Sequence, residues 1–192
     1  MTAPTLENNR VKLIPLDLSN YKQLTTIAKE TDLIYYSPNT ISTPETLKNY
    51  VQTAIEGFYN NTTLPFIVYD KQKQAFAGST RFGLINHKNK VLHIGWTWIG
   101  HDFQGTGLNS HMKFLMLQYA FETLLFEKVE FRIDERNIKS RKAVTKLGAT
   151  LEGILRQDTV MTDGFRRSTC CYGILKNEWL TIKTNTFKEF NI

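Results

Sequence analysis

The 192-residue chain predicts a mixed α/β (α+β) fold, with a central sheet of about seven strands flanked by helices. Three observations predict it. Strand-like and helix-like patterns interleave from Arg10 to Ile182, with no repeat and no low-complexity linker. His93 to Ile99 alternates Ile94, Trp96 and Trp98 with His93, Gly95 and Thr97, which is the period of a strand. A glycine-bearing turn over Gly100–Gly107 then leads into Leu108, Met112, Leu115, Met116, Tyr119, Ala120 and Leu124, which recur at helical spacing.

Taken in order, Arg10 to Leu16 reads as the first strand and Ser19 to Lys29 as a helix with Ser19 at its N-cap. Asp32 to Thr43, with Pro38 and the aromatic pair Tyr35 and Tyr36, reads as a loop or a short helix. Thr43-Pro44-Glu45-Thr46 starts a helix that runs to about Tyr59, because proline at the first helical position has no N–H to leave unpaired. Leu64–Asp70 and Ala75–Leu84 are strands around the polar turn Lys71–Gln74, and the central strand follows the turn Asn86–Lys90. After the long helix come a strand at Lys128–Ile133 and a helix at Ile138–Leu147 closed by Gly148. Strands at Thr150–Gln157 and Ser168–Leu175 flank the turn Thr162-Asp163-Gly164, and a last helix starts near Glu178.

Composition narrows the function. The length suits one domain, residues 1–192, large enough for a true core. The net charge is +6, but lysine and arginine are not gathered into a tract and no nucleic-acid motif is present, so nucleic acid is not the expected partner. A mild positive charge also suits attraction for an anionic ligand. Cys170 and Cys171 are adjacent and give neither a disulfide framework nor a metal-ligand spacing; no metal is expected. No signal peptide and no apolar run near ~20 residues is found, so the expected location is cytoplasmic, away from membranes.

The turn between the central strand and the long helix carries the chemistry. Such a turn leaves backbone N–H groups unpaired at a helix N-terminus, where the helix dipole adds positive charge; this is an anion site, with phosphate as the usual guest. It is neither a Walker loop nor G-x-G-x-x-G. Gln104-Gly105-Thr106-Gly107-Leu108-Asn109 instead matches [Q/R]-x-x-G-x-[G/A] except at Asn109.

That loop, Gly95-Trp96-Thr97-Trp98-Ile99, the run Asn137 to Gly148 (Asn-x-x-Ser-x-x-Ala-x-x-Lys-Leu-Gly), Leu151 to Arg156 and Asp163-Gly164 together resemble the GNAT superfamily of N-acetyltransferases, in its RimJ/RimL-like branch. The resemblance covers roughly Val11 to Leu180. It implies an acetyl-CoA-dependent transfer to a primary amine, by direct attack within a ternary complex, with a protein N-terminal α-amine as the acceptor. It implies that Gln104, Gly105, Thr106, Gly107, Leu108 and Asn109 hold the pyrophosphate through the backbone. Amides around Trp98 and Ile99 would polarise the thioester carbonyl. Asn137 is implied as a hydrogen-bonding partner of the pantetheine arm or the substrate, and Ser140 as a donor to the departing thiolate.

Read by position alone, Asn137 is a helix N-cap and Ser140 a first-turn residue. His93 stands where many relatives have an acidic residue. Its ordinary pKa of about 6.5 suits a general base, but an α-amine, partly neutral at pH 7, can react through water without one. His101 sits on the turn, and His87 and His111 read as surface residues. Gly95 inside a strand marks a bulge, a close backbone approach or simple packing. Trp96, Trp98, Tyr35, Tyr36 and Phe82 are core residues or lining of the acceptor pocket. Arg166 and Arg167 sit at a solvated hairpin tip or contact an acidic acceptor. Phe114, Leu117 and Phe121 lie off the main stripe of the long helix, which implies a second buried face, inside the fold or in a homodimer. Two alternatives stand beside the N-terminal reading: a small-molecule amine acetyltransferase acting on a polyamine, amino acid or antibiotic, and a non-catalytic acyl-CoA-binding sensor.

Overall fold

In a computed structural model that describes residues 3–190, the alternating signals become one eight-stranded sheet in the order β1-β2-β3-β4-β5-β6-β8-β7. The strands are β1 Leu6–Glu7, β2 Val11–Pro15, β3 Leu64–Asp70, β4 Ala75–Asn86, β5 Val91–Ile99, β6 Lys128–Asp134, β7 Thr150–Val160 and β8 Arg166–Leu175. The strand beyond the expected seven is β1, a two-residue piece too short to show any alternation, which pairs with Lys12 and Leu13. Every neighbouring pair is antiparallel except β5 with β6.

Four α-helices flank the sheet: α1 Pro44–Tyr59, α2 Leu108–Gln118, α3 Ile138–Lys146 and α4 Lys176–Asn185. Helix α1 starts as its residues dictate: the Thr43 hydroxyl accepts from Thr46 N (3.1 Å), the Thr46 hydroxyl accepts from Thr43 N (3.0 Å), and Pro44 fills the first position. Gly148, at φ +99°, closes α3.

Two helical expectations change. Residues 19–29 form two short 3₁₀ turns, Tyr21–Leu24 and Ile27–Lys29, not one helix. The β-branched pair Thr25-Thr26 interrupts it, and Thr25 Oγ1 donates to the Lys22 carbonyl (2.7 Å). Ser19 is not the cap; its hydroxyl and its N–H both donate to the Asp17 carboxylate. The long helix leaves α geometry after Gln118 and finishes as a π turn over Tyr119–Thr123.

Phe114, Leu117 and Phe121 are all buried inside the fold. Phe114 and Phe121 pack on Trp179 of α4, and Phe114 also on Phe187. The second apolar face of α2 therefore needs no second subunit. Among the described residues no helix is long and apolar enough to cross a membrane.

Candidate active site

The site is a fork in the sheet. Strands β5 and β6 pair in parallel only over Val91–His93 with Lys128–Glu130, and beyond His93 they separate. The cause is a bulge in β5: Ser79 faces Trp98 and Arg81 faces Gly95, so Trp96 and Thr97 oppose Thr80 alone. A bulge bends its strand, and Trp96 takes up the bend in the left-handed region at φ +49°. The resulting cleft, about 460 Å³, is lined by Gly95–Ile99, Phe131–Asp134, α3 and the start of α2.

Gly95 does not sit in the bulge itself. A Cβ there would lie 2.1 Å from His93 Nε2, so the missing side chain makes room for the neighbouring imidazole of its own strand. The ladder also separates Trp98 from Ile99. Gly100 N donates to the Ala77 carbonyl (2.9 Å) across to β4. Antiparallel alternation then turns the Ile99 amide group the other way, toward the cleft. There the Ile99 carbonyl accepts from Gln104 Nε2 (2.8 Å). Trp98 gives the cleft its side chain, and its backbone faces β4.

At the mouth of the cleft the turn becomes a cradle of free donors. Gly105 and Gly107 have φ +73° and +84°, which lets the chain fold back before α2. Among the described residues the N–H groups of Gly105, Thr106, Gly107, Leu108 and Asn109 donate to no protein acceptor. Gly107 caps α2 without a side-chain bond, and no acidic residue stands in its first turn. Lys139 Nζ donates to Gln104 Oε1 (2.5 Å) and Arg10 reaches Thr106 Oγ1 (3.4 Å), so cations rim the loop. Five free amides, a helix N-terminus and flanking cations fit a diphosphate.

Asn137 is the N-cap of α3: its Oδ1 accepts from Ser140 N (3.0 Å), leaving its amide N–H₂ for the cleft. Ser140 lines the cleft, and its hydroxyl bonds no protein group among the described residues. His93 also lines it but is only 6% exposed, and its Nδ1 has no hydrogen-bond partner among the described residues. Burial, then the charges of Arg132 and Lys113, push its pKa down to about 3. An α-ammonium of ordinary pKa near 8 would transfer its proton to this ring uphill by about 6–7 kcal/mol. His93 is thus a neutral hydrogen-bonding group at physiological pH.

The other candidates are scattered. Phe82 and Trp98 are buried, Trp96 and Tyr36 line the cleft, and Tyr35 is exposed. Arg167 leaves the hairpin tip, lines the cleft and donates to the Tyr36 carbonyl (2.9 Å), whereas Arg166 is exposed. His101 pairs with Glu30 at the outer turn. His111 is half-buried against Phe190 and Asn8, and His87 is exposed.

One cleft residue escaped the sequence reading: Lys113. It is 5% exposed, has no acidic partner among the described residues, and donates to Thr97 Oγ1 (2.8 Å), itself 2.8 Å from Thr80 Oγ1. The available signal was a single polar residue within the apolar run Met112–Leu117. Burial pushes its pKa down to about 7. The unfolded chain keeps a proton on this amine up to about pH 10.4, whereas the folded chain releases it near 7. Stability therefore rises with pH between those values, and the cost of the buried charge is present in full below them. Wild-type protein is expected to gain about 2 kcal/mol between pH 7 and pH 9 in urea unfolding. Lys113→Met should be the more stable protein at pH 6 and lose that slope. A flat wild-type profile would mean that Lys113 stays charged.

A forked parallel pair, with a helix-terminal amide cradle at its mouth, offers an extended cleft between two strands and an anion site on the adjoining loop. The comparisons with known proteins agree: residues 10–150 match the acetyltransferase (GNAT) domain model, and the chain belongs to that family of N-acetyltransferases. It is 30% identical over 95 residues to a Bacillus subtilis (strain 168) protein that bears the provisional name ribosomal N-acetyltransferase YdaF, in keeping with the RimJ/RimL-like branch. That match spans 50% of this chain and 51% of the relative. A GCN5-related N-acetyltransferase from Brucella melitensis superposes with a TM-score of 0.89 at 25% identity, over 98% of this chain and 86% of that one. The microcin C7 self-immunity acetyltransferase MccE, solved with acetyl-CoA and AMP, has the same fold, with a TM-score of 0.78 at 21% identity, over 88% of this chain and 93% of that one.

Proposed function

We propose that this N-acetyltransferase uses acetyl-CoA to acetylate protein N-terminal α-amines, by direct attack in a ternary complex. The observation that carries the reading is the fork beyond His93, open along β5 and ending at the five free amides of Gly105–Asn109. The diphosphate rests on that loop, and the pantetheine arm runs in the fork beside Ile94–Ile99. The Ile99 N–H polarises the thioester carbonyl. The Asn137 amide orients the arm, and the Ser140 hydroxyl donates to the sulfur as it leaves. A serine hydroxyl is a weak acid, so it acts by hydrogen bonding or through water.

The acceptor follows from the weakness of the base. With His93 held near pKa 3, its ring strips no ammonium, and the other buried nitrogen base of the cleft, Lys113, gives up its own proton only near pH 7, too weak to strip a lysine ammonium. At pH 7 about a tenth of an α-amine is already neutral, against well under 0.1% of a lysine side chain. An α-amine therefore suits the site, with His93 holding it, or a bridging water, as a neutral acceptor. The name borne by the Bacillus subtilis relative points the same way.

Thiol release from acetyl-CoA, read over peptides with free N-termini, lysine-bearing peptides with blocked N-termini, and polyamine, amino-acid and antibiotic amines, tests this. The N-terminal peptides should react best, with kcat/KM rising as pH approaches 8 and no inflection near 6.5. Preference for a small amine would overturn the acceptor, and tight acetyl-CoA binding with no release on any amine would leave the sensor. Ser140→Ala is expected to lower kcat about tenfold or more, while acetyl-CoA affinity falls by less. An unchanged kcat removes Ser140 from the mechanism.

A further inference from the structure

Arg81 is a buried charge without a counterion. It sits in the middle of β4, opposite Gly95, and is 5% exposed. Among the described residues its guanidinium has neither an ion pair nor a hydrogen bond. It lies instead between two aromatic rings, 4.5 Å from the Tyr50 centroid and 4.6 Å from that of Trp96. Cation–π contacts offset part of the cost of withdrawing the ion from bulk water, but they satisfy none of its five N–H donors.

The two rings are themselves held in place. The Tyr50 hydroxyl donates to the Trp96 carbonyl (3.1 Å) and accepts from Trp98 Nε1 (3.3 Å). The Trp96 ring rests on Gly83, where a Cβ would come within 2.3 Å of it. Trp96 and Leu84 both adopt left-handed backbone, at φ +49° and +48°. Both residues lie at the register shifts between β4 and β5, so the bulges there fix the backbone around the guanidinium.

A cavity of about 470 Å³ opens beside the guanidinium, between α1 and β4–β5. The guanidinium nitrogens are not among the fully enclosed unpartnered atoms, so their edge reaches this space. Thr53, Asn60, Thr62 and Thr63 supply polar walls, and Glu56, whose side chain is exposed, is the acidic residue of the lining. The cavity shares Asn39, Tyr50, Leu84 and Trp96 with the cleft, so the two spaces adjoin across these residues.

Resting on the acetyl-transfer reading above, we propose that Arg81 anchors a carboxylate of the amine acceptor, set apart from the amine that is acetylated. A planar guanidinium held edge-on to a cavity matches a carboxylate through two parallel hydrogen bonds. Gly95, opposite Arg81, lies four residues before Ile99 along β5. At about 3.3 Å per residue that is roughly 13 Å of strand, less the shortening of the bulge. An extended peptide with its N-terminal amine at Ile99 places an acidic side chain at its second or third residue on Arg81.

The test compares Ala-Glu-Glu-Gly-Gly-Trp with Ala-Gln-Gln-Gly-Gly-Trp as acceptors for the wild type, Arg81→Gln and Arg81→Lys. The wild type should favour the acidic peptide at least about tenfold in kcat/KM. Arg81→Gln should bring the ratio to about one, and Arg81→Lys should keep part of it. Acetyl-CoA calorimetry reports whether each variant is folded. Should Arg81→Gln fail to bind acetyl-CoA, glutarate on the wild type takes its place, and it should compete with the acidic peptide and not with acetyl-CoA. Equal rates on both peptides, a ratio unchanged in folded Arg81→Gln, or glutarate without effect would overturn the anchor and leave N-terminal acetylation standing. Acetylation of free glutamate but of neither peptide, lost in Arg81→Gln, would keep the anchor and overturn the N-terminal acceptor.

Discussion

Gly95→Ala is expected to destabilise the protein by about 2–3 kcal/mol, a drop of about 5–10 °C in Tm for a chain of this size. The new methyl carbon would lie 2.1 Å from His93 Nε2 and 2.6 Å from Cδ2, distances no relaxed packing allows. The imidazole has little room to yield. It is 6% exposed, and the Trp96 ring stands edge-on to it at 5.4 Å. Relief must come from β5 itself, beside the bulge that opens the cleft, so kcat/KM should fall with stability. The decisive measurement is a double-mutant cycle with His93→Ala. With the imidazole gone, Gly95→Ala should cost less than about 1 kcal/mol, giving a coupling of about 2 kcal/mol. Equal costs in both backgrounds would show that Gly95 serves something other than His93.

Gly107→Val should act in the opposite manner, sparing the fold and removing the cofactor. At φ +84° a side chain adds about 1–2 kcal/mol of backbone strain. A Cβ at Gly107 meets no protein atom within 4 Å, so it projects into open space beside the loop amides proposed to hold the diphosphate. Acetyl-CoA affinity is expected to fall about 100-fold, the equivalent of roughly 2.7 kcal/mol. Gly164→Val is the matched control: the same φ of +84°, equally open surroundings, and a position on the β7–β8 turn. Calorimetry should show normal acetyl-CoA binding for Gly164→Val and a collapse for Gly107→Val, with similar Tm losses in both. Equal binding in both variants would place the diphosphate elsewhere.

Much of the frame was legible residue by residue. Leu64–Asp70 forms a strand and pairs across its hairpin as expected, Thr43-Pro44 starts α1, and Gly148 stops α3. Local stereochemistry determines these features, and local sequence carries it. The same logic failed at residues 19–29, where a side chain–backbone bond from Thr25 competes with a continuous helix. In the site, the loop amides and Asn137 were legible because turns and caps are short-range devices. The basicity of His93 was not. A histidine on a strand reads near pKa 6.5, and burial first, then the charges of Arg132 from β6, Lys113 from α2 and Arg167 from β8, lower it to about 3.

By itself, then, the sequence determined the order of the elements, the free-amide turn before α2 and the family to which the chain belongs. These depend on periodicity and on glycines within a few residues of one another. Only the tertiary structure decided that Gly95 makes room for an imidazole, that Lys113 and Arg81 are buried without counterions among the described residues, and that β5 and β6 part after His93. Those properties arise from solvent exclusion and from charges brought together across the chain, and neither has a local signature in sequence.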